Sequence, residues 1–126
     1  MTLLLDTHAF LWWLDDPRHL SKAARKAIGD GKNTVYVSAA VAWEIAIKKA
    51  LDKLEAPDDL QAAMAANRFL PLPVTIPHAL EVRTLPDVHR DPFDRLLIAQ
   101  AKHEGFKLVS RDPHLVPSYD VAHIVA

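Results

Sequence analysis

Short aliphatic runs alternate with segments of helical pattern along this sequence, and the alternation restricts the folds open to it. The runs TLLLD (2–6), TVYV (34–37) and FKLVS (106–110) predict strands buried on both faces of a sheet. LPLPV (70–74) predicts an edge strand, where proline is tolerated, and VAHIV (121–125) predicts the last strand. We therefore expect an α/β fold in which helices cover both faces of a parallel sheet.

The segments between these runs have helical patterns. They are residues 7–14, 21–31, 38–54, 58–69 and 77–85, and a last helix from DPFD to about residue 104. Ser21 and Ser38 are predicted N-caps, and Gly105 is predicted to end the last helix.

Size and charge limit the domain count and the mode of ligand binding. With 126 residues, half of them apolar, the chain is predicted to form a single domain, residues 1–126. Its 15 Lys and Arg against 16 Asp and Glu exclude a global basic field. A polyanion would have to be bound by a local patch or through metal ions.

The cysteine content and the length of the hydrophobic runs indicate the cellular compartment of the protein. The chain has no cysteine, which excludes disulfides, thiolate nucleophiles and cysteine-ligated zinc. The first apolar run stops at Asp6, and no run approaches the ~18 residues of a membrane span. We expect a soluble protein of the cytoplasm.

The segment DPFD has two interpretations. Asp91 can cap the following helix, Pro92 fits the first helical position, and Asp94 can complete a weak capping box. Alternatively, its carboxylates hold a ligand. The segment alone is compatible with both interpretations. The choice between them depends on where the other carboxylates lie.

Further carboxylates follow the predicted strands. Asp6 ends the first strand, Asp112 follows the FKLVS strand by two residues, and Glu44 lies in the second turn of the helix after the second strand. Ligands of an open α/β sheet bind outside the carboxyl ends of its strands, so we expect these three at one edge. The alternatives are a helix cap for Asp6 and a turn for Asp112. Glu44 could instead pair with Lys48, four residues later.

Glu44 indicates chemistry more strongly than the others. It lies within VAWEIAI, where a lone carboxylate is costly unless it is paired or bound to a cation. Clustered carboxylates suit Mg²⁺ or Mn²⁺ and metal-assisted phosphodiester hydrolysis, and the ions let a nearly neutral protein bind RNA locally.

Four segments in order closely resemble the PIN-domain ribonucleases, specifically the VapC toxins of toxin-antitoxin pairs. They are LLLDTHAFLWW, VSAAVAWEIAIKKALDKL, HRDPFDRLLIAQA and LVSRD, and the resemblance runs nearly end to end. It implies a three-layer α/β/α sandwich with a central parallel sheet. It also implies a catalytic, metal-binding set of Asp6, Glu44, Asp94 and Asp112 that holds Mg²⁺ or Mn²⁺, and it brings Asp94 to the pocket.

The resemblance also implies roles for neighbouring residues. Thr7 and Ser110 match small hydroxyl positions that support the first and last aspartates of such proteins. Asp91 is expected to cap the helix or to support the site indirectly. After Asp112 the chain has PHL, where relatives often carry a further acidic or polar residue. The resemblance therefore leaves open whether the site binds one metal ion or two.

The implied function is that of an endoribonuclease toxin that cleaves cellular RNA. The implied partners are a cognate antitoxin, bound by its C-terminal segment in a hydrophobic groove, and a second copy of the chain in a homodimer. A larger toxin-antitoxin complex is compatible with the same resemblance.

Other residue types carry alternative interpretations. Three histidines near carboxylates could ligate a softer metal, although their spacing is irregular. They are His8, His89 and His114. The tryptophans could stack on bases, or pack in the core or an interface. They are Trp12, Trp13 and Trp43. Lys48 and Lys49 could contact phosphate or form a solvated face.

Two other functions stay open. One is a phosphatase with Asp6 as covalent nucleophile, although such enzymes usually have a second aspartate where this chain has His8. The other is a non-catalytic interaction module whose acidic pocket receives a basic side chain of a partner.

Overall fold

The computed structural model describes residues 1–87, 91–111, 119 and 121–126, and it contains a parallel sheet. The strands are β1 (Thr2–Leu5), β2 (Thr34–Ser38), β3 (Leu70–Leu72), β4 (Lys107–Ser110) and β5 (His123–Val125). Their order is β3-β2-β1-β4-β5, and every neighbouring pair is parallel. The predicted parallel sheet is confirmed, with the proline-containing β3 at an edge.

The helices of the described residues lie between these strands. They are α1 (Thr7–Asp15), α2 (Lys22–Gly29), α3 (Ala39–Ala50), α4 (Leu60–Ala66), α5 (Ile76–Glu81) and α6 (Pro92–Glu104). Pro17–His19 and Val82–Thr84 are short 3₁₀ turns. Ser21 and Ser38 cap α2 and α3 as predicted, because their hydroxyls accept backbone N–H groups of the first turn.

Four helices end earlier than the sequence pattern predicts, and a left-handed residue follows two of them. The predicted helix 38–54 stops at Ala50, because Asp52 adopts a left-handed conformation with φ of 54°. The amide of Lys53 then donates to the carbonyl of Lys48 at 2.8 Å, and that of Asp52 donates to Lys49 at 3.1 Å. These bonds form a Schellman motif built without glycine.

The second helix, predicted over 58–69, is α4, and it ends in the same way. Arg68 has a φ of 59°, and the amide of Phe69 donates to the carbonyl of Met64 at 2.9 Å. The predicted end of α6 is confirmed, since Gly105 has a φ of 73°.

The core is centred on β1. Leu3, Leu4 and Leu5 are all 0% exposed. Because successive side chains of a strand point to opposite faces, both faces of the sheet are covered. The expected α/β/α sandwich is therefore confirmed. No helix in the described parts of the chain has both the length and the apolar character needed to cross a membrane.

We expect Leu4→Ala to lower the free energy of unfolding by about 3 kcal/mol, because the fully buried site cannot collapse around the lost methyl groups. Urea unfolding followed by circular dichroism measures the change. Ile76→Ala is the matched control, since that side chain is 76% exposed. An equal loss in both variants would contradict a core centred on β1.

The order of the strands fixes where a ligand can bind. From the central β1 the chain moves to β2 and β3 on one side, and then to β4 and β5 on the other. The direction changes between β1 and β4, and the residues that follow these two strands are Asp6 and Arg111. A crevice outside the carboxyl ends of strands at such a point is the usual ligand site of an open α/β sheet.

Candidate active site

A small cleft of about 150 Å³ lies at this edge of the sheet, and several of its side chains are acidic. It is lined by Asp6, His8, Glu44, Lys48, Asp91, Asp94, Ser110 and Arg111. Three of the four carboxylates expected to bind metal therefore share one cleft. The fourth, Asp112, lies outside the described residues.

Asp6 is both a helix cap and a lining residue of the cleft. Its Oδ1 accepts the amide of Ala9 at 2.8 Å, and its Oδ2 accepts the amide of Arg111 at 3.0 Å. Burial raises the pKa of the Asp6 carboxyl above its ordinary value, while these amides and the Ser110 hydroxyl oppose the shift. A cation in the cleft would favour the charged form that burial disfavours.

Glu44 is buried, with only 4% of its surface exposed, and both of its oxygens have donors. The Thr7 hydroxyl donates to Oε1 at 2.5 Å, and the Lys48 ammonium bonds Oε2. The ion pair with Lys48, which is the alternative interpretation of Glu44, is therefore present. Glu44 also lines the cleft, so the two interpretations are compatible.

The two expected supporting hydroxyls both hydrogen-bond acids of the cleft. Thr7 is expected to support the first aspartate, but its hydroxyl donates to Glu44. Ser110 hydrogen-bonds Asp6, whereas its expected partner, Asp112, lies outside the described residues. The parallel pairing of β1 and β4 explains the contact with Asp6, because it places the end of β4 beside the residue that follows β1.

The DPFD segment divides the two roles between its aspartates. Asp91 caps α6, since its Oδ1 accepts the amides of Phe93 at 2.9 Å and Asp94 at 3.3 Å. Pro92 occupies the first turn, as predicted. Asp94 lies in the same turn without a capping role, and both aspartates line the cleft. The Asp94 carboxylate therefore lies both at the positive end of the helix dipole and beside the other acids.

Basic side chains also line the cleft. Lys48 and Arg111 supply positive charge, and Arg111 was missed in the sequence although it follows β4 directly. Burial lowers the pKa of His8, and the charge of Arg111 lowers it further. The lower pKa favours the neutral imidazole, although the charges of Glu44 and Asp94 act in the opposite direction. His89 and His114 lie outside the described residues.

The donor set determines which metal fits this cleft. Asp6, Glu44 and Asp94 offer carboxylate oxygens, which suit hard divalent cations such as Mg²⁺ and Mn²⁺. Each carboxylate oxygen has two lone pairs, so the donors already bound to Asp6 and Glu44 leave further acceptor capacity. The donor type therefore fits such an ion, but the ligand atoms of these three residues do not all lie within 4.8 Å of one another, so at least one of their side chains would have to shift to bind it jointly.

A second group with ligand-type side chains lies elsewhere among the described residues. The ligand atoms of His78, His103 and Glu104 lie within 4.8 Å of one another. However, Nδ1 of His78 accepts the amide of Thr75 at 3.1 Å, so the ring proton lies on Nε2, which donates to Glu104 at 2.7 Å. Neither nitrogen offers a lone pair to a metal.

This group belongs instead to a buried hydrogen-bond network that the sequence did not reveal. The Ser38 hydroxyl donates to Gln100 Oε1 at 2.5 Å, and Gln100 Nε2 donates to Nδ1 of His78 at 3.2 Å. Both Gln100 and His78 are almost fully buried. The network ties the cap of α3 to α5 and α6, the helices packed beside it.

The fold is a parallel α/β/α sandwich, and its acidic cleft lies where the strand order changes direction. Together they define the class of protein, a small α/β domain with a carboxylate-lined site. The chain belongs to the PIN domain family, whose model matches residues 3–117.

Individual proteins of known sequence or structure are similar to this chain. Ribonuclease VapC22 of Mycobacterium tuberculosis is 30% identical over 118 residues, which cover 90% of this chain and 89% of that protein. The VapBC2 structure from Rickettsia felis, bound to promoter DNA, aligns with a TM-score of 0.74 and 14% identity over 99% of this chain and 98% of that one. A toxin-antitoxin complex from Klebsiella pneumoniae aligns with a TM-score of 0.62 and 15% identity, over 98% of this chain and 96% of that one. The two structures support the fold.

Proposed function

We propose that this protein is a Mg²⁺- or Mn²⁺-dependent endoribonuclease that acts as the toxin of a toxin-antitoxin pair. The observation that carries the proposal is that Asp6, Glu44 and Asp94 line one cleft of a PIN domain. The similarity to Ribonuclease VapC22 supports RNA as the substrate class. We place its action in the cytoplasm, where cellular RNA is present.

The proposed metal ligands are these three carboxylates together with Asp112, which the family resemblance adds. A bound divalent ion supplies charge that offsets the carboxylates, polarises the phosphate and makes water a stronger nucleophile. The protein contributes fixed geometry. Backbone amides hold both oxygens of Asp6, and Thr7 holds Glu44, so these carboxylates are oriented before any ion binds.

Water is the proposed nucleophile, and no side chain forms a covalent intermediate. Both oxygens of Asp6 already accept backbone hydrogen bonds, which weakens its use as the nucleophile of a phosphatase. Lys48 and Arg111 place positive charge beside the acids, where it reduces the repulsion between the carboxylates and an RNA phosphate.

The antitoxin is proposed to bind a groove of about 480 Å³ beside α1. The groove is lined by Leu11, Trp12, Leu14, Asp15, Glu55, Ala56 and Pro57. Its apolar floor and exposed acids favour a segment with apolar anchors and basic residues. Trp12 stacks edge-on against His8 at 6.0 Å, and His8 lines the acidic cleft, so the groove adjoins the cleft.

A second copy of the chain is proposed to bind the apolar face between α3, α5 and α6. We define this apolar face by Trp43, Ala79, Val82, Pro92, Phe93 and Leu96. Trp43 is 59% exposed and packs edge-on against Phe93 at 5.2 Å. Exposed aromatic side chains beside further apolar ones are typical of the cores of protein–protein interfaces.

The function is tested by titrating the purified protein with Mn²⁺ in a calorimeter and then incubating it with total bacterial RNA. We expect saturable binding, and discrete RNA fragments with Mn²⁺ but not with EDTA. At a Mn²⁺ concentration 100 times the Kd, the free energy of unfolding rises by about 2.7 kcal/mol. Absence of Mn²⁺ binding would favour the interaction module, and a trapped phosphoaspartate would favour the phosphatase.

A further inference from the structure

Lys48 lies in the acidic cleft as a direct partner of a proposed metal ligand. Its ammonium bonds Oε2 of Glu44, one helical turn earlier on α3, and both side chains line the cleft. Glu44 is 5% exposed at its side chain, whereas that of Lys48 is 37% exposed. The acid is therefore buried, while its basic partner reaches the solvent.

The two best-described acids of the cleft are compensated differently. Asp6 accepts hydrogen bonds from neutral donors, which are the amides of Ala9 and Arg111 and the hydroxyl of Ser110. Glu44 accepts one neutral donor, Thr7, and one full positive charge, Lys48. A buried carboxylate is stabilised most strongly by such a charge or by a bound cation. Lys48 and a divalent ion therefore supply the same compensation to the same carboxylate.

We propose that Lys48 is a resident counter-ion of Glu44 that a divalent metal displaces, after which its ammonium binds a phosphate of the RNA. The inference rests on the proposed function and adds a substrate-binding residue to it. Lysine suits both tasks, because its compact charge is carried on a flexible four-carbon stem and binds phosphate as a point charge. The partly exposed side chain can move without unpacking the core.

The proposal predicts two effects of opposite sign from one substitution. Removing the positive charge ends the competition for Glu44, so Mn²⁺ binds about tenfold more tightly. The same change removes a phosphate contact, so the KM for RNA rises about tenfold. The slope of log KM against log salt concentration falls by roughly 0.7. Structural damage to the cleft would weaken metal binding and would not produce this pair of changes.

The experiment compares Lys48→Met, Lys48→Arg and Lys49→Met in the full chain. Calorimetry with MnCl₂ in the absence of RNA gives the metal Kd, and cleavage kinetics at several salt concentrations give KM. Lys49 is the matched control, because it is adjacent in sequence but bonds Asp58 at 2.6 Å and the carbonyl of Ala56 at 2.8 Å. We expect Lys48→Met alone to show both effects, while Lys48→Arg retains the charge and stays near the wild-type values.

Each alternative result overturns a defined part of the inference. An unchanged or weaker Mn²⁺ Kd in Lys48→Met would refute the competition for Glu44. A tighter Kd with unchanged KM and salt slope would refute the phosphate contact. Equal shifts in Lys49→Met would mean a general charge effect and not a role of Lys48. Absence of Mn²⁺ binding by the wild type would instead refute the proposed function, which separates the two failures.

Discussion

Asp94→Asn is expected to lower the rate of RNA cleavage on the order of a thousandfold, while Asp91→Asn retains most of it. A thousandfold loss corresponds to about 4 kcal/mol of transition-state stabilisation, which is within reach of a disrupted metal site. Asparagine is a poor ligand for a hard cation because it has lost the negative charge. Cleavage of total bacterial RNA with Mn²⁺ measures both variants, and EDTA-treated wild type gives the baseline.

The two positions differ because the structure gives them different tasks. Asp91 accepts the amides of the first turn of α6, and asparagine caps a helix about as well as aspartate. Both aspartates line the cleft with Asp6 and Glu44, but Asp91 Oδ1 is already used by the cap, whereas Asp94 has no capping role. The pair is therefore matched in residue type, helix and substitution, and it separates a cap from a ligand.

Circular dichroism and a thermal melt must show that both variants keep the fold. If Asp94→Asn is folded and cuts RNA at the wild-type rate, Asp94 is not a metal ligand and the proposed site is wrong. If both variants are folded and inactive, Asp91 is also required, and the division of roles within DPFD fails.

The sequence predicted the fold because its strongest signals are local. Three consecutive leucines in β1 and the short aliphatic runs of β2 and β4 indicate strands covered on both faces, and the intervening helices then favour parallel pairing. Asp6 and Glu44 could be placed at the carboxyl edge by the same reasoning, because each follows a strand directly or within two helical turns.

Other features depend on contacts between distant residues and could not be predicted in this way. The position of Asp94 depends on how α6 enters the site, and only the family resemblance indicated it. The partner of Thr7 lies 37 residues away, and that of Ser38 lies 62 residues away. The early end of α3 depends on Asp52 adopting a positive φ, which non-glycine residues seldom do.

The second large effect concerns the apolar face, because this face adjoins the acidic cleft. Trp43 precedes Glu44 on α3, and Phe93 precedes Asp94 on α6. The aromatic pair thus lies on the same two helices as two of the proposed ligands. A second copy bound at this face would flank the cleft and keep the exposed tryptophan from water.

We expect Trp43→Glu to raise the dimer dissociation constant on the order of a thousandfold, because interface hot spots are enriched in tryptophan and the new carboxylate would be buried without a partner. Sedimentation velocity over a range of protein concentrations measures the change. The oligomeric state is the only valid readout, since the substitution also adds a negative charge beside Glu44.

The matched control is Val125→Glu, which places the same charge on an apolar side chain that is 40% exposed in β5, at the opposite edge of the sheet from β3. This variant should dimerise as the wild type does, because its surface lies away from α3 and α6. A wild type that sediments as a monomer at every concentration would refute the homodimer. Equal dissociation by both variants would show that added charge, and not the loss of Trp43, separates the copies, and the interface would then have to lie elsewhere on the chain.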